Sequence, residues 1–280
     1  MALDYVVHYP CEVKMFLGKG DLEYGTGVLD SKIRAHHLSN EMAAFAHQNQ
    51  LNPLTLSVTF RRVTPTGIEI QPFPFVELRA EAAGLLNFRT KCKSCPVNPS
   101  CQPFGCFRSM SYPIPAEIEH WLVSHLEPAT TLGGKLFMQA IAWQVELAGI
   151  ASEMRENGLF ELEEPIEWED PIGNEKVQFN SNFLMGLLFA NNQPLTPMMS
   201  ASILLWFGAL KIDGDHPWHL DVKEVEELLL EMDTIESRKQ RTALAIDFNQ
   251  LSTPSLNFMS HWLTALYTGW VESVEVLISA

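Results

Sequence analysis

The pattern of hydrophobic and polar positions changes character near residue 112. Before that point the apolar residues come in short runs rich in Val, Tyr and Phe. DYVVHYP (4–10) and EVKMFLG (12–18), each bounded by turn residues, predict two short strands, with Cys11 between them. Over residues 30–50 the apolar positions Ile33, Leu38, Met42, Phe45 and Ala46 recur near helical spacing and predict a helix capped by Asp30 or Ser31. LTLSVTFRRV (54–63) alternates and is β-branched, TPTG follows as a turn, and IEIQPF (68–73) completes a hairpin. VELRAEAAGLL (76–86) then predicts a helix that leads into a cysteine-rich loop. This order predicts a small antiparallel sheet with helices on one face.

Beyond residue 112 helical spacing dominates. SMSYPIPAEIEHWLVSHL opens a helix with Pro115 at its first position and Glu117 and Glu119 in its first turn, where acidic side chains suit the helix dipole. Residues 132–158 are apolar on most faces and predict one long buried helix ending near Gly158. ELEEPIEWEDPIGNEK (161–176), with seven acidic residues, two prolines and a glycine, reads as an exposed loop. Apolar segments follow at 182–190 and 196–210, the second with Thr196 as cap and Pro197 at the first helical position. Residues 221–241 predict an amphipathic helix with Val225, Leu228, Leu229, Met232 and Ile235 on one stripe and a start resembling a capping box at Asp221 and Glu224. A last helix starts at Thr253–Pro254. The fold class expected is therefore α+β, as a domain over 1–112 with the small sheet and the cysteine loop and a mainly helical domain over 113–280.

Composition narrows the function classes. At 280 residues and 46% hydrophobic the chain can fill real cores. A formal charge of −15 disfavours a broad nucleic-acid surface or an anionic membrane surface, because binding there relies on Lys and Arg neutralising phosphates. MALDYVVHYP lacks the basic stretch and apolar run of a secretory signal, and the longest apolar runs, such as ILLWFGAL (203–210), are far shorter than the ~20 residues of a membrane span. The expectation is a cytoplasmic protein. In that reducing compartment clustered cysteines point to metal binding or redox chemistry more than to structural disulfides.

Four of the five cysteines lie in KCKSCPVNPSCQPFGC (91–106) as C-x2-C-x5-C-x4-C. The two-residue gap between Cys92 and Cys95 lets both thiolates of a knuckle face one ion, and the short gaps to Cys101 and Cys106 allow the chain to wrap it. Pro96, Pro99, Pro103 and Gly105 suit such a wrap, and Lys91 and Lys93 offset the charge of four thiolates. The segment resembles the zinc knuckle, C-x2-C-x4-H-x4-C, with Cys in place of His and one residue added. It also resembles the auxiliary-cluster segment of radical-SAM maturases, C-x2-C-x5-C-x3-C, through Cys95–Pro96 and Gly105–Cys106. Both resemblances span about fifteen residues. The chain has neither the CxxxCxxC of a SAM cluster nor the basic, aromatic-flanked character of a nucleic-acid-binding knuckle. The first resemblance implies Zn2+, a structural staple, and the second implies a [4Fe-4S] cluster. Zinc is the expected metal, with Cys92, Cys95, Cys101 and Cys106 as ligands. Cys11 replaces Cys101 if the N-terminal segment folds over the loop.

Other polar groups carry weaker signals. IDGDHPWHLD (212–221) gathers Asp213, Asp215, His216, His219 and Asp221, which a polar turn between helices explains as well as a cation site does. His36, His37 and His47 fit a solvated or half-buried helix face, and His120, His125 and His261 fit core-edge histidines beside Trp121 and Trp262. Arg61 and Arg62 next to Phe60 offer a small anion site. The sequence holds no GxGxxG, Walker-type loop, GxSxG or HExxH. The reading is of a metal-stapled accessory protein that binds a protein partner and is not an enzyme. The alternative is an iron–sulfur redox or maturation protein.

Overall fold

The structure, a computed structural model, describes residues 2–17, 27–64, 67–98, 104–169, 176–190, 194–212, 222–246 and 253–279. In chain order its elements are β1 (Ala2–Val7), α1 (Glu12–Leu17), α2 (Gly27–Gln48), β2 (Ser57–Thr64), β3 (Gly67–Pro74), α3 (Phe75–Ala82), α4 (Arg89–Lys93) and β4 (Phe107–Ser111). These are followed by α5 (Ala116–His125), α6 (Leu132–Trp143), α7 (Val145–Glu156), β5 (Pro165–Glu169), β6 (Lys176–Asn180), α8 (Asn182–Phe189), α9 (Pro197–Trp206) and β7 (Leu210–Ile212). The last are α10 (Val222–Glu231), α11 (Ile235–Arg241), β8 (Thr242–Leu244), α12 (Pro254–Val271) and β9 (Val276–Ser279). The architecture is mixed helix and strand with small antiparallel sheets. Two compact units divide it: Tyr9–Ser109, and Ala2–His8 together with Met110–Ala280.

In the first unit the expected hairpin forms, with β2 antiparallel to β3 in the register Ser57↔Pro74 through Thr64↔Gly67. Its inner residues Val58 and Phe73 pack with Leu38 and Met42 of α2 around buried Ala35, Leu78 and Ala82. Residues 12–17 form helix α1 and not the predicted strand, because so short a segment does not distinguish a period of 2 from one of 3.6. Glu12 in its first turn suits the helix end of the choice. α2 starts at Gly27, so Asp30 and Ser31 lie inside it and do not cap it. The helix expected over 76–86 ends at Ala82 and tightens into a 3-10 stretch, Ala83–Phe88, that hands over to α4.

The second unit corrects several expectations. β1 is not part of a purely N-terminal sheet: it pairs antiparallel with β9, Asp4↔Ser279 to Val7↔Val276, in the order β4–β1–β9. Pro115 is the N-cap of α5 and not its first helical residue. The helix expected over 132–158 breaks at Gln144 (φ −130°, ψ 40°), and its second half, α7, buries only Ala151, so it is not a buried central helix. It does end where expected, with Gly158 at φ +74° and Leu159 N–H donating to the Met154 carbonyl. The acidic stretch 161–176, irregular over 161–164, is a strand and not a loop from Pro165 to Glu169. β5 pairs with β6, Ile166 and Trp168 alternate inward with Glu167 outward, and Trp168 meets Phe137 edge-on at 5.4 Å and Phe179 at 5.5 Å. The run 221–241 is two helices, α10 and α11, parted by Met232–Asp233–Thr234, and Ile235 is exposed and off the stripe of Val225, Leu229 and Met232. Thr234 and Ser237 form a capping box for α11. Thr196 and Thr253 cap α9 and α12 as expected.

Helix packing in this unit relies on close backbone approach. A Cβ on Gly133 of α6 would lie 2.1 Å from the Leu205 carbonyl of α9, and one on Gly186 of α8 would lie 2.4 Å from the Leu147 carbonyl of α7. α12 brings buried Trp262 and Phe258 to Tyr5 of β1, with ring centroids 5.0 and 5.8 Å apart. Glu119, 1% exposed, receives both terminal nitrogens of Arg155 at 3.0 and 2.8 Å and the Ser181 hydroxyl, while Arg155 Nε donates to Asn182 Oδ1 at 3.0 Å. That network leaves neither carboxylate oxygen without a donor. No helix among the described residues is long and apolar enough to cross a membrane.

Two glycine substitutions test this packing with opposite signs. Gly186→Ala should destabilise by about 1–3 kcal/mol, since the backbone of α7 must move. Gly149→Ala, within α7 with nothing within 4 Å of the new Cβ, should stabilise by about 0.5–1 kcal/mol. Thermal or denaturant unfolding reads both, and equal effects would contradict the α7–α8 contact.

Candidate metal centre

Two segments far apart in sequence build the site. Tyr9–Pro10–Cys11 leads directly into α1, and Cys92 sits on α4, whose last turn passes into a tight loop. Cys95 N–H donates to the Cys92 carbonyl at 3.3 Å and Asn98 N–H to the Cys95 carbonyl at 3.1 Å. The buried Asn98 amide donates to the Cys92 carbonyl at 2.8 Å and holds the knuckle shut. Phe104 follows in the left-handed region (φ +63°), and its carbonyl accepts from Phe107 N–H at 3.1 Å, which turns the chain so that Cys106 comes back to Cys92. The Phe104 N–H donates to the Cys92 sulfur. Lys91 of α4 forms an ion pair with Glu12 of α1, tying the two segments together at the surface.

Cys11, Cys92, Cys95 and Cys106 line one cavity of about 360 Å³ together with Val13, Lys14, Asn98 and Phe104. Cys92 and Cys106 are buried, and Cys11 and Cys95 are half-buried. Cys101 lies outside the described residues, as do Asp213, Asp215, His216, His219 and Asp221. Among the described residues no group of three or more His, Cys, Asp or Glu that could hold a metal ion is found, and with Cys101 outside them the four-Cys metal loop expected from the spacing is not shown. What the fold does bring together is three cysteines of the loop and Cys11 on one cavity.

The electrostatics distinguish the two buried thiols, Cys92 and Cys106, from catalytic ones. Burial pushes the Cys106 thiol up to about 11 and raises Cys92 as well. In both cases the other cysteines add to the rise and Lys14 opposes it. A nucleophilic cysteine needs its thiolate favoured at neutral pH, and here the protonated form is favoured. A bound cation supplies the charge that draws such protons off. Lys14 is 8% exposed, an unusual burial for a lysine, and its charge lies within reach of Cys92 and Cys106. The spacing Cys11-x2-Lys14 becomes informative only on a helix, where three residues make one face, which is why a strand reading of 12–18 passes over Lys14.

Behind the loop lie the α2 histidines. His36 is buried rather than half-buried and stands edge-on to Phe104 at 5.4 Å, while His37 stacks on Phe107 at 6.1 Å and donates to the Phe104 carbonyl. His47 is exposed. Elsewhere, His120 is exposed beside Glu164 at 3.2 Å, His125 stacks on Trp121 at 4.3 Å, and His261 is half-buried on α12. The side chains of Arg61 and Arg62 are outside the description.

No family model matches the chain, and neither does any curated protein or solved structure. The functional reading therefore rests on this site.

His37 makes a pH prediction. Burial first, then Arg108 and His36, lower it from its ordinary 6.5 to about 4, and His36 is lowered too by burial, Arg89 and Arg79. The unfolded chain takes up the proton first, so the stability that neutral His37 contributes is present above pH 6.5 and is lost as pH falls toward 4. The shift corresponds to about 3 kcal/mol. Glu41, raised by partial desolvation, acts in the opposite sense over the lower part of this range. His37→Gln should flatten the decline in melting temperature between pH 7 and 4, and an unchanged profile would remove His37 as its cause.

Proposed function

We propose that the cysteine cavity of the first unit is a four-thiolate metal centre and that the protein acts as a metal-stapled accessory or partner-binding protein rather than as an enzyme. The observation that carries this reading is the convergence of four cysteines, from two segments widely separated in sequence, on one cavity. Three of the ligands are Cys92, Cys95 and Cys106, and the fourth is Cys11 or Cys101. Asn98 and the Phe104 N–H act as the supporting groups that set the orientation of Cys92. Lys14 and Lys91 offset the negative charge of the thiolates. Zinc there acts as a staple without redox chemistry, and a [4Fe-4S] cluster makes the same loop an iron–sulfur site.

Partner binding is supported by the exposed apolar residues at the α6–α7 junction, where Trp143 is 87% exposed and Val145 and Ile150 are exposed beside it. The charge of −15 directs this reading to protein partners with no broad nucleic-acid binding.

Ligand removal tests the centre. In protein purified without oxygen or chelator from cells supplied with zinc and iron, Cys92→Ser, Cys95→Ser and Cys106→Ser should each lose most of the metal found in the wild type. Each should also lower the melting temperature by several degrees, because metal affinity here is also folding energy. A wild-type protein free of metal, with variants of unchanged stability, would overturn the proposal.

A further inference from the structure

Resting on the partner-binding half of that reading and not on the metal, we infer that a cleft built by α6 and α9 in the second unit docks a basic amphipathic helix of a partner protein. The cleft is half-open, with a volume of about 220 Å³. Leu136, Ala140 and Trp143 line it from one face of α6, and Met199, Ile203 and Trp206 from one face of α9. At about 1.5 Å per residue each stripe runs for about 11 Å, or two turns of a docked helix. No strand contributes to the lining: apart from Gln144 at the α6–α7 break, every lining residue belongs to α6, α8, α9 or α10. A groove walled by helices offers no sheet edge to an extended peptide, so side chains must make the contact, as when a helix lays its apolar face into a groove.

Charge sets the kind of helix. The second unit holds 26 acidic residues against 8 basic ones, a net charge of −18, whereas the first unit is at +3. Glu226 is the one charged residue of the lining, and α10 exposes Glu227 and Glu231 as well. On the helices that wall the cleft the basic residues are Lys135 and Lys223, and Lys223 is already paired with Glu227. A helix with Lys or Arg beside its apolar stripe complements this surface, and a second copy of so acidic a unit is repelled by it. Trp143, 87% exposed, is an aromatic anchor for an incoming apolar side chain, and Met199 adapts to its shape. Leu230, 67% exposed and one turn along α10 from Glu226, adds apolar surface on that helix.

The probe is a fluorescein-labelled peptide of about 14 residues made of Leu and Lys, with Leu at i, i+3, i+4 and i+7 so that helix formation gathers one apolar face. Fluorescence anisotropy with the full chain at about 150 mM salt should show saturable binding. Binding should be roughly tenfold weaker, or more, for a peptide of the same composition with its Leu positions scrambled and for one with Glu in place of Lys. Trp143→Ala and Glu226→Lys should each weaken it by roughly five- to tenfold, because both touch the cleft. Glu156→Lys, the same charge change outside the lining, should leave it within about twofold at this salt. Equal weakening by the two Glu→Lys variants, or no loss in Trp143→Ala, would reveal attraction to net charge alone and overturn the docking site, as would a peptide that does not bind. A concentration-dependent dimer that Trp143→Ala abolishes and the peptide does not disrupt would give the cleft to a second copy and overturn the basic helix as occupant. Metal content, measured on the same preparations, judges the four-thiolate centre separately, so a failed titration of metal-bearing protein overturns the cleft alone.

Discussion

The first unit depends on the segment Tyr9–Leu17 lying against Lys91–Asn98 and Phe104–Cys106. Glu12 and Lys91, which mark that contact, are 79 residues apart, and closing a loop of that length once costs roughly 4–5 kcal/mol of chain entropy in the simplest cross-link model. An exposed ion pair contributes little against that sum. The apolar contacts of α2 with α3 and the hairpin do the larger part of the folding work, and the thiols are brought together as a consequence. A metal bound by ligands from both segments would act on the same closure, which is why metal content and melting temperature are coupled in this unit and not elsewhere.

Burial sets the chemistry of the cavity. Two of its thiols are so enclosed that the protonated form prevails, and the positive charge of Lys14 does not reverse this. Thiols of that kind are poor nucleophiles and good ligands once a cation arrives. Phe104 connects the cavity to the histidines behind it. Its N–H serves Cys92 while its carbonyl serves Phe107 and His37, so one residue in the left-handed region orients a ligand and anchors the loop to α2. The second unit is organised by different means: bare backbone contacts at Gly133 and Gly186, aromatic packing of Tyr5, Trp168 and Trp262, and a bidentate Glu119–Arg155 pair.

Local chemistry was legible in the sequence wherever the physical signal is itself local. The β2–β3 hairpin follows from alternation around TPTG, the starts of α9 and α12 from Thr–Pro, the end of α7 from Gly158, and the cysteine spacing from four thiols within fifteen residues. Each of these is decided by dihedral preference, capping or ligand reach within a few residues. The acidic character of 161–176 conceals a strand because the alternation of Ile166, Glu167 and Trp168 spans only three residues within a run dominated by charge. The break at Gln144 carries no proline or glycine to announce it.

Tertiary structure decided whatever depends on partners distant in the chain. The pairing of β1 with β9 joins the two ends of the sequence, and no local pattern encodes a register between strands so far apart. Whether residues 12–17 became strand or helix depended on what they packed against, and that choice turned Lys14 toward the cavity and put Cys11 beside Cys92, Cys95 and Cys106. By itself the sequence determined that four thiols stand close enough along the chain to share a metal. Only the fold decided that Cys11, far away along the chain, joins them on one cavity, because that proximity comes from closing a long loop and not from the reach of neighbouring residues.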